Sequence, residues 1–290
     1  MPKVFTVEMI KKDEAQFRPS MSLETKTVEK ETNETDEEII ERMRTRFGIL
    51  DDMTRAVKGG HVRAMIVSGP PGIGKSFGVE KVLSKHDMFA DVANDNKLKK
   101  YEIVKGTASA IGLYKKLYQY ADRKSIVVFD DCDSVLLDSD CLDILKSALD
   151  SGKRRIINWN KESRFLQNEG VPQQFEFKGG CIFITNLKFE NVRSKNLKAH
   201  LEALESRCHY LDLTIDTERE KMLRIKQIVN DGMLDEYEFA DFEKDAIVDF
   251  IDVNRKKMRE LSLRMVLKVA DLKKSMPNNW QSVATVTCMR

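Results

Sequence analysis

The sequence predicts an α/β fold in which a parallel sheet of five strands lies between helical layers and is followed by a small α-helical lid. Two apolar runs, at residues 64–67 and 126–129, each lead directly into a polar motif, as strands buried on both faces of a parallel sheet do. From residue 216 onward, the apolar side chains recur at helical spacing. The chain is therefore expected to have an α/β part and a helical part.

Length and composition exclude several classes of protein. The 290 residues suffice for one large or two modest domains, and 41% apolar with 33% charged residues is typical of a soluble globular chain. No apolar run approaches the roughly 20 residues that span a bilayer, so no membrane partner is expected. The five cysteines have neither paired nor metal-ligand spacing, which predicts reduced thiols and a cytoplasmic location. A net charge of +2 falls short of a dedicated nucleic-acid-binding domain.

Residues 69–76, GPPGIGKS, match the G-x-x-x-x-G-K-[ST] phosphate loop and lie between an apolar strand and a predicted helix at 77–84. Its glycines allow the backbone N–H groups to face phosphates. Lys75 is expected to reach the β- and γ-phosphates of ATP, and the Ser76 hydroxyl to ligate Mg²⁺. A chance match in a glycine-rich turn is the alternative, which the strand–loop–helix context disfavours. The predicted nucleotide contacts are Gly69, Pro70, Pro71, Gly72, Ile73, Gly74, Lys75, Ser76 and Phe77.

Polar side chains follow two further apolar strands. Asp130 and Asp131 end the run at 126–129, which matches the Walker B pattern at the carboxyl edge of a parallel sheet. Asp130 is expected to hold Mg²⁺ through water, and Asp131 to activate the attacking water. Exposed aspartates that cap a strand are the alternative. Asn186 ends the strand at 181–185 and can touch both the attacking water and the γ-phosphate.

The chain divides into four predicted parts. A polar, acidic tail precedes a core that begins with a capping box at Thr35 and Glu38 and a helix to about Lys58. The core contains an inserted hairpin, and a helical lid follows it. The predicted boundaries are 1–34 for the flexible tail, 35–215 for the core with its insertion at 154–178, 216–275 for the lid and 276–290 for a C-terminal tail.

The order of these parts resembles the AAA+ ATPases, a family of P-loop NTPases, over roughly residues 36–275. The segments IFITN (182–186) and LESRC (204–208) make the chain similar to AAA+ members in particular. The resemblance implies that Asn186 is the sensor-1 residue. It also implies that Arg207 is an arginine finger, delivered in trans to the ATP of a neighbouring subunit. A surface arginine favoured by the dipole at a helix C-terminus is the alternative for Arg207.

The lid segment SLRMVLKVADL at 262–272 resembles the sensor-2 helix. The resemblance implies that Arg264 reaches back to the γ-phosphate. Arg259 is a rival for this role, and either arginine could simply be solvated.

Two segments bear on the macromolecular client. The hairpin at 154–178 resembles the pre-sensor-1 hairpin of one branch of the family, and it could grip nucleic acid by charge and stacking. The alternative is buried aromatic residues with solvated charges. A pore loop is expected near Ser109–Tyr114, where a helix start is the alternative. The basic and aromatic side chains of the hairpin are Arg154, Arg155, Trp159, Lys161, Arg164, Phe165, Phe175 and Lys178.

The resemblance implies an ATPase that assembles into a hexameric ring or related spiral and remodels, loads or translocates a macromolecule. DNA transactions, including DNA replication, are the first hypothesis, suggested by the clamp-loader-like Ser-Arg-Cys segment and the hairpin. A protein-remodelling ring is an alternative. An assembly switch with little hydrolysis is another, because Asp131 stands where the family usually has Glu. The compact size resembles virus- or plasmid-encoded members, which would place the protein in a host cytoplasm.

Overall fold

A computed structural model describes residues 34–84 and 100–290 of the chain, so nearly all of the predicted acidic tail lies outside the described residues. Among the described residues, no helix combines the length and apolarity needed to cross a bilayer. All five cysteines are free thiols. The helices and strands are, in chain order, α1 (Asp36–Lys58), β1 (Ala64–Ser68), α2 (Lys75–Ser84), β2 (Tyr101–Lys105), α3 (Ala110–Gln119), β3 (Ile126–Asp130), α4 (Asp133–Leu137), α5 (Ser139–Ala148), β4 (Ile156–Asn158), α6 (Arg164–Asn168), β5 (Gln174–Glu176), β6 (Gly180–Thr185), α7 (Lys195–Glu205), β7 (His209–Asp212), α8 (Glu218–Ile228), α9 (Asp241–Val253), α10 (Leu263–Ser275) and α11 (Trp280–Cys288).

Five strands form a parallel sheet in the order β2-β3-β6-β1-β7, which confirms the predicted fold class. The three central strands β1, β3 and β6 are buried at every position, as a sheet covered on both faces requires. In the register, Ser68 of β1 lies beside Thr185 of β6, and Asp130 of β3 lies beside Ile184. The polar residues that follow these strands therefore meet at one edge of the sheet.

Helices cover both faces of this sheet. Along β1, the side chain of Ile66 joins an apolar cluster with residues of α3, α5 and α7. Its neighbours Met65 and Val67 join a second cluster, with residues of α1 and α2. This alternation follows from the two-residue period of a strand and yields the αβα sandwich.

Helix α1 begins at the predicted capping box. The Thr35 hydroxyl accepts a hydrogen bond from the Glu38 N–H at 3.2 Å, and the Glu38 carboxylate accepts one from the Thr35 N–H at 2.8 Å. The helix ends at Lys58, before Gly59. The predicted extent of this helix is confirmed.

The inserted segment forms the predicted antiparallel pair, β4 with β5, but its aromatic side chains pack inward. The ring centroid of Tyr114 lies 5.4 Å from that of Trp159 and 5.1 Å from that of Phe175. Phe175 is 9% exposed, whereas Phe165 is 47% exposed. This arrangement matches the alternative of buried aromatic residues and does not offer Trp159 or Phe175 as stacking platforms.

The predicted pore loop at Ser109–Tyr114 is wrong. Ser109 caps α3 by accepting a hydrogen bond from the Gly112 N–H, so that the segment is the first turn of a helix. Tyr114 is fully buried in the apolar cluster beneath the insertion.

The helical region extends to the end of the chain, so the predicted C-terminal tail at 276–290 is also wrong. Helix α11 buries Trp280, whose ring lies 5.1 Å from that of Phe250 on α9. Met289 then pairs with Met258 in an isolated β-bridge. The β-branched Val and Thr residues of α11 have modest helix propensity, which hides the helix in the sequence.

We expect Trp280→Ala to destabilise the helical region by about 3–5 kcal/mol, because it removes a large buried aromatic side chain. Val286 lies on the same helix but is 77% exposed, so Val286→Ala should change stability by less than about 0.5 kcal/mol. Urea denaturation followed by circular dichroism measures both. Equal effects of the two substitutions would contradict the packing described for α11.

Candidate nucleotide-binding site

The loop between β1 and α2 has a backbone that requires glycine at two positions. Gly72 has φ +72° and Gly74 has φ +101°, in the left-handed region that side chains disfavour. A Cβ on Gly72 would also lie 2.6 Å from the Cβ of Ser262. The loop therefore curls tightly before α2, the geometry in which backbone N–H groups and a helix N-terminus bind phosphate.

Lys75 lies at the start of α2 and is 5% exposed. Its ammonium donates hydrogen bonds to the carbonyls of Gly69 (2.6 Å) and Pro70 (2.8 Å) and to Oδ1 of Asn186 (2.8 Å). Burial lowers the pKa of Lys75 to about 8, although the charges of Asp131 and Asp130 oppose this shift. A phosphate would be a stronger partner for this cation than its neutral oxygen acceptors, since it supplies a full negative charge.

Ser76 and Asp130 lie together as the predicted metal site requires. The Ser76 hydroxyl donates a hydrogen bond to Oδ1 of Asp130 at 2.7 Å, and Asp130 is 4% exposed. Lys105 on the neighbouring strand approaches the other carboxylate oxygen at 3.5 Å. A hydroxyl and a carboxylate oxygen fit Mg²⁺, which takes few protein ligands and completes its shell with water and substrate phosphate.

Asp131 and Asn186 form the second polar pair of the site. The Asn186 amide donates a hydrogen bond to Oδ1 of Asp131 at 2.8 Å, while its oxygen accepts the bond from Lys75. Asp131 has a left-handed φ of +52°, and its N–H donates to the Ile184 carbonyl. The structure thus brings Lys75, from the start of α2, together with Asn186 and Asp131, from the ends of β6 and β3, into one hydrogen-bonded chain.

Asp133 is a further carboxylate near this site that the sequence analysis missed. The Thr185 hydroxyl donates to Oδ1 of Asp133 at 2.7 Å and accepts from the Leu187 N–H at 3.0 Å. The Asp133 charge also acts on Lys75. The Asp-Asp-Cys-Asp run at 130–133 was a signal for it. Asp133 therefore anchors the backbone on either side of Asn186.

The N-terminus of α10 packs against the phosphate loop. The Leu263 N–H donates to the Gly72 carbonyl at 2.8 Å. Arg264, in the first turn, is exposed and close enough for its charge to lower the pKa of Lys75. The N–H of Arg259 instead bonds the Cys288 carbonyl, at the end of α11. Of the two sensor-2 candidates, Arg264 has its charge near the loop.

Arg207 does not join the other predicted site residues. It precedes β7, whose first residue His209 pairs with Met65, so it lies at the amino edge of the sheet. Strands rise about 3.3 Å per residue, so the two edges of the sheet are on the order of 13 Å apart. The residues that share a surface pocket with Arg207 are Arg63, Leu149, Ser151 and Ser206.

A parallel five-stranded sheet with a glycine-rich phosphate loop before a helix defines the class of P-loop nucleotide-binding proteins. The model of the AAA domain, dynein-related subfamily, matches residues 64–208. The chain is also 35% identical over 258 residues to the "Uncharacterized 36.7 kDa protein in nrdC-mobD intergenic region" of Enterobacteria phage T4, covering 88% of this chain and 77% of that protein. The protein belongs to the AAA family. The phage relative supports the expectation of a virus-encoded member.

The solved structures that the chain matches differ widely from it in sequence. One is the S. cerevisiae Hsp104:casein complex in its extended conformation (TM-score 0.45, 13% identity, 86% of this chain and 40% of that one). Another is a DNA replication initiation factor (TM-score 0.38, 10% identity, 80% of this chain and 60% of that one). A third is the Aeropyrum pernix ORC2 protein in its ADP form (TM-score 0.44, 15% identity, 87% of this chain and 68% of that one). The chain thus spans less than two thirds of the first two proteins.

We expect Lys75→Ala to weaken ATP binding by about 100-fold or more, because the loop loses its buried cation. Lys81, two turns later on α2, is exposed, so Lys81→Ala should bind ATP as the wild type does. Isothermal titration calorimetry on both variants provides the comparison. If Lys75→Ala bound ATP with wild-type affinity, Lys75 would not be part of the nucleotide site.

Proposed function

We propose that the protein is an ATP-hydrolysing AAA+ protein whose catalytic sites are shared between subunits of a ring or spiral, and that it spends the energy on moving a macromolecule. The hydrogen-bonded chain of Lys75, Asn186 and Asp131 beside the Ser76–Asp130 pair carries the proposal. Phosphate-binding, metal-binding and water-activating groups thereby lie within one small region. A protein that only binds nucleotide, or a purely structural module, does not need the water-activating group.

Each residue has a distinct role in this proposal. The loop N–H groups and Lys75 bind the phosphates, while Ser76 and Asp130 hold Mg²⁺, which supplies charge neutralisation when bound. Asp131 accepts a hydrogen bond from the attacking water and orients it. Asn186 holds the Asp131 carboxylate and, through its oxygen, the Lys75 ammonium, so that it can register whether a γ-phosphate draws Lys75 away.

Asp131 is one methylene shorter than the glutamate usual at this position. The Asn186 hydrogen bond and the left-handed backbone fix the carboxylate at the end of β3, although the side chain itself is exposed. Because this carboxylate is exposed and is positioned by a single amide, we infer that hydrolysis is slow. The proposed enzyme therefore has a low kcat.

Arg207 acts in trans in this proposal because it lies at the sheet edge opposite to its own phosphate loop. An arginine placed on the γ-phosphate of a neighbour stabilises transition-state charge and contributes about 10³–10⁵ in rate. Arg63, in the same pocket, adds a second positive charge to the surface that would face the neighbour. Arg264 is proposed as the sensor-2 residue, from its place beside the loop.

The shared site predicts complementation between two inactive variants. Arg207→Ala and Asp131→Asn should each lower the ATPase rate at least 100-fold, while mixing them should restore up to about a quarter of wild-type activity. Mixed oligomers contain interfaces with an intact Asp131 on one side and an intact Arg207 on the other. The wild-type rate per subunit should also rise with protein concentration. A rate that is flat with concentration and indifferent to Arg207 would exclude the shared site.

The hairpin gives less support to a DNA client than its composition suggested. Arg154 and Lys178 lie 3.4 and 3.3 Å from Glu176, and Lys161 pairs with Asp140. The buried Arg155 donates hydrogen bonds to the carbonyls of Ala148 and Gly179. Much of the basic charge is therefore engaged within the fold. The DNA hypothesis depends on the Ser-Arg-Cys resemblance, and the engaged hairpin favours a protein client as the second candidate.

Measurement of ATPase activity with each client decides between these candidates. If DNA is the client, single-stranded DNA should stimulate hydrolysis, and raising salt from 50 to 200 mM should remove the stimulation through loss of phosphate contacts. If a protein is the client, an unfolded protein such as reduced lactalbumin should stimulate hydrolysis in its place. Nucleotide-dependent oligomers with negligible turnover under both conditions would identify an assembly switch.

A further inference from the structure

Helix α8 connects the nucleotide-binding core to the helical region. Its Leu223 packs in the core cluster with Ile39 and Met43 of α1, whereas Met222 and Ile225 pack in the cluster of the helical region. Ion pairs also join α8 to α1, with Glu220 2.7 Å from Arg42 and Arg219 beside Asp36. A group on this helix is therefore placed to respond to both parts.

Arg224 of α8 is a buried cation that lacks an acidic contact among the described residues. It is 6% exposed, and its guanidinium carbon lies 3.5 Å from the ring centroid of Phe47. One terminal nitrogen donates to the Gln227 amide oxygen at 2.9 Å, and Nε finds no hydrogen-bond partner within residues 34–84 and 100–290. Burial lowers the pKa of Arg224 to about 10, with Asp231 opposing the shift through space. Such a cation is costly to bury unless an anion completes its environment.

The position of Arg224 points to that anion. Its Nη2 lies 3.8 Å from the point that a Cβ on Gly74 would occupy, so it borders the phosphate loop at Gly74. Gly74 immediately precedes α2, so Arg224 lies beside the point where the loop enters the first turn of this helix. The helix N-terminus holds the α- and β-phosphates at this end.

We propose that Arg224 contacts the α-phosphate of the bound nucleotide, so that the helical region responds to a diphosphate as well as to a triphosphate. Stacking on Phe47 occupies the face of the guanidinium and leaves its N–H donors in the plane, where they can meet phosphate oxygens. The inference rests on the nucleotide site of the proposed function. It adds a residue from the helical region that acts independently of Arg264.

Calorimetric titration of Arg224→Met with ADP and with a non-hydrolysable ATP analogue tests this contact. The variant should lose about 10- to 100-fold in affinity for both nucleotides alike, the effect of removing a charged hydrogen-bond donor. Arg264→Met should instead weaken the triphosphate analogue more than ADP. Arg219→Met, on the same helix but exposed and paired with Asp36, should bind both nucleotides as the wild type does.

Thermal melting without nucleotide separates this role from a structural one. Since Arg224→Met removes a buried charge that lacks an acidic contact among the described residues and retains a long, unbranched side chain, its Tm without nucleotide should equal or exceed that of the wild type, while its stabilisation by ADP should shrink. Should that variant fail to fold, Arg224→Lys keeps the charge but loses the planar fork and should show the same loss in smaller measure.

Four results would overturn the inference. Unchanged affinity together with a lowered Tm would make Arg224 structural. If Arg224→Met lost affinity only for the triphosphate, the contact would be with the γ-phosphate. If its loss of affinity differed between ADP and GDP, the contact would be with the base. A wild-type protein that binds neither nucleotide would refute the proposed function as well, whereas the first three results leave that function intact.

Discussion

The hydrogen bonds from Lys75 to Asn186 and from Asn186 to Asp131 depend on three strands that end side by side. Residues 111 positions apart in sequence meet because β6 inserts between β1 and β3, with Ser68 beside Thr185 and Asp130 beside Ile184. These strands are buried on both faces, so a slip of one residue would interchange the side chains that pack into the two apolar clusters. The polar groups are therefore held in place by the apolar core beneath them.

The two edges of the sheet carry different chemistry. At the carboxyl edge, the buried carboxylate of Asp130 and a lysine with a lowered pKa lie at the phosphate loop. At the amino edge, Arg63 and Arg207 line one surface pocket. Parallel strands keep these sets apart, which means that one chain by itself cannot bring Arg207 to its own Lys75. In the proposed assembly, the separation becomes useful because each edge faces a different neighbour.

The features that the sequence predicted correctly are those coded locally. The phosphate loop, the buried strands and the capping box of α1 each depend on residues a few positions apart. The meeting of Asp133 with Thr185, and of Arg224 with Phe47, depends on contacts between distant elements, which no local pattern encodes. The expected pore loop failed because a capped helix start and an apolar–glycine loop share the same composition at Ile111 and Gly112. Helix α11 was missed because packing on α9 and α10, rather than propensity, stabilises it.

Gly72 and Ser262 occupy adjoining space although 190 positions separate them in the sequence. Only 2.6 Å would separate a Cβ on the first from the Cβ of the second, and the Leu263 N–H is bonded to the Gly72 carbonyl. The volume available to one residue is thus set by the other. Over evolutionary time, substitutions at these two positions are therefore expected to be accepted together or not at all, because both determine how closely α10 packs against the phosphate loop.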